Sequence, residues 1–185
     1  WRLHGAQMQR ALGTGDPILL PDGERYKTLT SVARVYESLI RSSADRGSAI
    51  VALGGGVLGD TAGFAAATFL RGIALVQVPT TLLAQVDSAI GGKVGVNHAL
   101  GKNLIGSFHQ PALVVVDPAF LRTLPRREFR SGLYEVIKYG MIASRSLFDL
   151  LARHTKAIVA RDLSVLAPAI EESCRIKADV VSKDE

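Results

Sequence analysis

A chain of 185 residues with 48% hydrophobic positions can bury a full core and hold one domain with part of another, which excludes a disordered tail. Apolar runs such as residues 49–53 and 73–78 fall well short of the roughly 20 residues needed to cross a bilayer, and a single cysteine excludes an internal disulfide framework. A net charge of +5 suits small anionic ligands better than nucleic acid, because the lysines and arginines are scattered and only 6% of residues are aromatic.

The chain opens at Trp1 without a methionine and closes inside a helical pattern at residues 181–185, so both ends read as cut. No charged leader precedes an apolar stretch, and a reducing cytoplasm is the expected setting. The segment Pro21-Asp-Gly-Glu-Arg-Tyr-Lys27 begins with a turn signal, Asp22-Gly23. Glu24 there can favour the dipole of a helix start. It can also accept hydrogen bonds from a ribose or adenine, with Lys27 one turn on along the same face.

From residue 24 to 41, Leu29, Val32, Ala33, Tyr36, Leu39 and Ile40 recur at helical spacing, which predicts an amphipathic helix on a sheet. Residues 49–53 then read as a buried parallel strand between Gly47 and Gly54. The turn Gly54-Gly-Gly-Val-Leu-Gly-Asp60 follows that strand and opens a small-residue helix over residues 58–69. Glycines at 54, 56 and 59 fit the dinucleotide spacing, and free N–H groups at a helix start bind phosphate. The acidic residue expected about twenty positions on is missing, since that region reads Val78-Pro-Thr-Thr81.

A second strand is expected at residues 73–78 and a helix over 81–90. A Gly-rich polar loop is expected over 91–106, and a third strand over 113–116. Alternation of this kind predicts a doubly wound parallel sheet. Thr80, Thr81, Asp87, Ser88, Lys93, Asn97, Lys102 and Asn103 crowd the polar stretch, which suits either a polyhydroxylated anionic guest or a solvated surface loop.

After Leu124-Pro125 strand signals cease, and helical patterns run to the end. This places a boundary between an α/β domain, residues 1–125, and the opening of a helical one, residues 126–185. On the first of these helices Glu135 and Lys138 share a face. They can form a surface ion pair of about 0.3 to 0.5 kcal/mol, or the carboxylate can ligate a divalent metal while the lysine holds an anion. Cys174 falls on an apolar stripe with Leu163, Leu166, Ile170, Ala178 and Val181 and reads as core. His4, His98, His109 and His154 show no metal-ligand spacing.

Taken in order, these segments resemble the 3-dehydroquinate synthase family of sugar phosphate cyclases. The specific stretches are Pro21 to Lys27, Gly54 to Asp60, Arg71-Gly72, Pro79-Thr-Thr-Leu-Leu-Ala84, Gly91-Gly-Lys-Val-Gly-Val-Asn97, Gly101-Lys-Asn103, Leu121-Arg-Thr-Leu-Pro125 and Glu135-Val-Ile-Lys138. The resemblance implies a Rossmann-like NAD-binding domain followed by the first helices of an all-α metal-binding domain. It implies conversion of 3-deoxy-arabino-heptulosonate 7-phosphate into 3-dehydroquinate and phosphate in the shikimate pathway. Bound NAD and a divalent metal, zinc or cobalt, would serve a cytoplasmic homodimer.

By resemblance, Asp22, Gly23, Glu24, Arg25, Tyr26 and Lys27 would hold the adenosine end of NAD, and Gly55, Gly56, Val57, Leu58, Gly59 and Asp60 its pyrophosphate. Thr80, Thr81, Leu83, Asp87, Ser88, Lys93, Lys102, Asn103, Phe120, Leu121, Arg122, Thr123, Leu124 and Glu128 would complete the cofactor site. Arg71, Asp87, Lys93, Asn103 and Lys138 would face the substrate, and Glu135 would be the first metal ligand. The family's two metal-binding histidines and further basic ligands would lie beyond Glu185, which implies an incomplete and inactive chain. The sequence departs from the family at Ser88-Ala89, where two serines are usual, and at Tyr134, where a small residue is usual. Rival expectations are a 2-deoxy-scyllo-inosose or valiolone-type cyclase, a metal-dependent polyol dehydrogenase, and a cofactor-binding module without catalysis.

Overall fold

The structure, a computed structural model, describes residues 1–13 and 17–183. Helix α1 (Gly5–Leu12) precedes a single 3-10 turn, Glu24–Tyr26, and helix α2 (Leu29–Arg41). The helix expected from residue 24 is therefore split. Thr28 is extended and caps α2 by accepting from the Ser31 N–H, which sets the true start at Leu29.

Strand β1 (Ala49–Gly54), helix α3 (Gly56–Thr68) and strand β2 (Ala74–Pro79) form the expected strand-helix-strand unit, with β1 and β2 parallel from Ala49 opposite Ala74 to Gly54 opposite Pro79. A short strand β5 (Leu113–Val114) adds to β2, giving the order β1-β2-β5. Val32, Val35 and Leu39 of α2, Ala62, Ala65 and Ala66 of α3, and Ala52 and Leu75 of the sheet bury one continuous cluster.

The Gly-rich stretch expected as a loop is instead an antiparallel hairpin, β3 (Lys93–His98) with β4 (Gly101–Phe108). Its glycines permit close approach. A Cβ at Gly95 would lie 2.6 Å from the Ile105 carbonyl oxygen, and one at Gly106 would lie 2.6 Å from that of Val94. The hairpin packs on α3, where a Cβ at Gly63 would come within 2.4 Å of Val94 Cγ1. Helix α3 is thus made of small residues because it is enclosed by the sheet, α2 and the hairpin.

The helix expected over residues 81–90 is present over residues 82–88, and from Ala84 to Ser88 it widens into one π-type turn. Gln85 anchors it: Nε2 donates to the Pro79 and Asp117 carbonyls at 3.2 and 2.9 Å.

A 3-10 segment, Pro118–Thr123, leads into α4 (Arg126–Ile142), α5 (Arg145–Arg153), α6 (Thr155–Val159) and α7 (Leu163–Val181). A second cluster joins Leu82 and Val86, of the helical segment 82–88, to Leu121, Phe129, Val136, Leu166 and Ile170. Cys174 packs against this cluster and donates to the Gln85 carbonyl at 3.2 Å, with burial pushing its thiol up to about 11. Among the described residues no helix is long and apolar enough to cross a membrane.

Candidate functional site

Strand β1 delivers the chain into α3 through Gly55, which supplies no side-chain cap. The Leu58 and Gly59 N–H groups donate to the Gly55 carbonyl, which leaves those of Gly56 and Val57 for a ligand. Three glycines here face side chains at contact distance. A Cβ at Gly55 would meet Thr81 Cγ2 at 3.0 Å, one at Gly56 would meet Ser88 Oγ at 2.8 Å, and one at Gly59 would meet Gln77 Oε1 at 2.8 Å. The Ser88 hydroxyl is buried, points at this turn and has no hydrogen-bond partner among the described residues. An uncapped helix start beside an unpartnered hydroxyl fits the phosphate-bearing part of a dinucleotide.

One turn into α3, Asp60 meets Lys27 at 2.5 Å, and the same ammonium donates to Asn103 Oδ1 at 2.6 Å. Burial pushes the Asp60 carboxyl up and Lys27 pulls it back, while Glu24 and Asp87 stand close enough to raise it further. Lys27 is only 5% exposed, so its ammonium is committed inside the protein and does not share an open face with Glu24. Asp22, Arg25 and Lys102 stay exposed, and the Arg25 guanidinium lies over the Tyr26 ring at 4.8 Å from its centroid. Asp60, Asn103 and the exposed Lys93 line a cavity of about 420 Å³ with Val94, Gly95, Gly106, Ser107 and Phe108.

The wide turn presents Asp87 at the junction with the helices. Its Oδ1 accepts from Lys177 of α7 at 2.7 Å and from the Tyr139 hydroxyl at 3.4 Å, while that hydroxyl also donates to the Val86 carbonyl at 3.2 Å. Burial, then the Asp87 and Glu135 carboxylates, push the Tyr139 phenol well above its usual range. On α4, Glu135 is ion-paired with Lys138, whose side chain is half exposed. Lys177 is the group that sequence reasoning missed. It stands 90 residues from Asp87, and no local spacing links the two.

Glu135 alone does not make a metal centre. Among the described residues no three His, Cys, Asp or Glu side chains are arranged to hold an ion, and the acid nearest in this network, Asp87, is held by Lys177. His4 contacts Thr123 Oγ1 at 2.9 Å, and His109 Nε2 contacts the Ile73 carbonyl at 3.0 Å.

Several expected ligands are placed otherwise. Arg71 lies past the far end of α3, so at 1.5 Å per residue the helix separates it from the glycine turn by about 20 Å. Phe120, Leu121 and Leu124 are buried, with Leu121 and Leu124 in the helical core cluster, leaving only backbone for a ligand. Leu83, Arg122, Thr123 and Glu128 are exposed. Thr80 donates its N–H to the Gly54 carbonyl at 2.9 Å and so ties the two turns together, while Thr81 Oγ1 accepts from the Ala84 N–H at 3.2 Å at the start of the wide turn.

Residues 17–131 match the family described as 3-dehydroquinate synthase N-terminal, and residues 132–185 match 3-dehydroquinate synthase C-terminal. A curated 3-dehydroquinate synthase of Citrifermentans bemidjiense is 55% identical over 178 residues, 96% of this chain and 49% of that protein. The chain spans about half the length of the curated relatives it matches. Among solved structures, a 2-epi-5-epi-valiolone synthase from Streptomyces hygroscopicus subsp. jinggangensis, with NAD+ and Zn2+ bound, superposes with a TM-score of 0.93. It is 29% identical over 99% of this chain and 53% of its own. A 2-deoxy-scyllo-inosose synthase complexed with carbaglucose-6-phosphate, NAD+ and Co2+ has a TM-score of 0.62. It is 44% identical, covering 64% of this chain and 32% of its own.

Proposed function

The chain belongs to the 3-dehydroquinate synthase family, and from that premise we propose that the protein carrying it converts 3-deoxy-arabino-heptulosonate 7-phosphate into 3-dehydroquinate and phosphate. The observation that carries this reading is the convergence, at one end of α3, of an uncapped glycine turn, the unpartnered Ser88 hydroxyl and the Lys27–Asp60–Asn103 cluster beside a cavity. Bound NAD would supply a reversible oxidant, acidifying the carbon next to the oxidised hydroxyl and returning its electrons after phosphate has left.

The residues of this chain hold and orient. The Gly56 and Val57 N–H groups at the start of α3 take the pyrophosphate, and Ser88 adds a hydroxyl to it. Lys93 and Lys138, as exposed cations at the cavity and on α4, bind the substrate's phosphate and carboxylate and draw on developing negative charge. Asn103, fixed by Lys27, hydrogen-bonds a substrate hydroxyl. Asp87 is oriented and neutralised by Lys177. Glu135 would supply one ligand to a divalent metal, whose shell the described residues do not complete. We divide the chain at Pro125 between the cofactor half and the helical half, and take the whole protein to be a cytoplasmic homodimer that is active only at full length.

The test is phosphate release by the full-length protein. The expected result is release from 3-deoxy-arabino-heptulosonate 7-phosphate with no accumulation of NADH. Release from glucose 6-phosphate in its place would assign the protein to the inosose-type cyclases, which the 44% identity brings into consideration. Stoichiometric NADH formed from a simple polyol would make it a dehydrogenase.

A further inference from the structure

Near the end of strand β3 stands Asn97, whose backbone N–H and both side-chain polar atoms reach elements assigned to different ligands. Its backbone N–H donates to the Lys27 carbonyl at 2.8 Å. Its side-chain Nδ2 donates to Glu24 Oε1 at 2.8 Å, and its Oδ1 accepts from the Asn103 N–H at 2.9 Å. The hairpin register is irregular at this position, between Val96 and His98, which lets the side chain turn out of the strand pairing toward both partners.

Asn103 has φ of 57°, in the left-handed region, which asparagine adopts more readily than most residues and keeps where its polar groups are held. Two contacts hold them: Asn97 takes its N–H, and Lys27 donates to its side-chain oxygen at 2.6 Å. Glu24, on the 3-10 turn 73 residues earlier in the sequence, would otherwise be an exposed carboxylate free among rotamers.

The geometry points to Asn97 as a positioning residue that sets two groups at once: the Glu24 carboxylate for the adenosine end of NAD and the Asn103 side chain for the sugar phosphate. This rests on the cofactor and substrate reading given above. An amide is suited to the place, because it donates to a carboxylate on one side and accepts from a backbone N–H on the other. A carboxylate at 97 keeps the second contact and loses the first.

That asymmetry supplies the test. In the full-length protein, NAD affinity is measured by calorimetry and the KM for the heptulosonate phosphate by phosphate release, for wild type, Asn97→Ala, Asn97→Asp, Glu24→Gln and the double variant Glu24→Gln/Asn97→Asp. Asn97→Ala is expected to raise both the NAD Kd and the KM by about tenfold, while Asn97→Asp raises the NAD Kd alone. In the double variant the amide and the carboxylate exchange places and the contact re-forms, so its NAD Kd is expected to match that of Glu24→Gln.

A general loss of stability would not separate Kd from KM in this way. If wild type binds NAD and Asn97→Asp binds it equally well, or if the double variant shows the summed losses of the two singles, the positioning role is overturned. If wild type fails to bind NAD, the cofactor reading falls, and the inference with it.

Discussion

Lys27 is 5% exposed, and its ammonium reaches Asp60 and Asn103, partners 33 and 76 residues away along the chain. Removing it in Lys27→Met would leave the Asp60 carboxylate without its cation in a site that already disfavours charge, so urea unfolding should show a loss of about 3 kcal/mol. A loss below about 1 kcal/mol would mean that water replaces the ammonium there. Cys174 gives a second residue-level outcome. With its thiol raised to about 11, above the ordinary value, the neutral form is the one the fold favours. The stability it contributes is present below the unfolded value and is lost as pH rises through about 11. At pH 8 its alkylation should run about a hundredfold slower in the native chain than in urea. At this scale the sequence reveals residue types better than partners. Ser88, Asp87 and the Glu135–Lys138 pair are legible from local spacing, whereas the Lys177–Asp87 contact depends on α7 folding back over the wide turn.

Strands β1 and β2 and helix α3 are legible because an apolar run bounded by glycines has one common solution, a buried parallel strand with a crossover helix. The hairpin β3–β4 is not legible from composition, since five glycines, two lysines and two asparagines over residues 91–106 also describe a loop. What decides it is pairing. Gly95 and Gly106 let the two backbones approach where a Cβ would strike a carbonyl oxygen at 2.6 Å. Gly95→Ala should therefore separate the strands and lower stability by about 2 kcal/mol, with the urea m-value unchanged. An unaltered midpoint would show that the hairpin has room the geometry denies. The helix over residues 82–88 is legible in the sequence, but its widening over Ala84–Ser88 is not, because it is held by Gln85, whose side chain bonds two carbonyls outside it.

Across the whole molecule, two hydrophobic clusters are separate, and the wide turn, whose Val86 belongs to the helical one, packs on α3 on one side and on α4 and α7 on the other. The candidate site runs along that seam, from the glycine turn through Asp60 and Asp87 to Glu135. The order of α/β segments followed by helices is readable in the sequence. The seam is not, because it depends on how α4 and α7 pack against residues 82–87. On the function proposed above, the half carried here forms the NAD cradle at the start of α3, and titration of this chain with NAD in a calorimeter tests that most directly. One NAD per chain is the predicted result, with affinity reduced at least tenfold in Gly56→Val, where the added side chain would fill the space in front of Ser88 Oγ. No heat of binding from the wild-type chain, or equal affinity in a folded Gly56→Val variant, would contradict it.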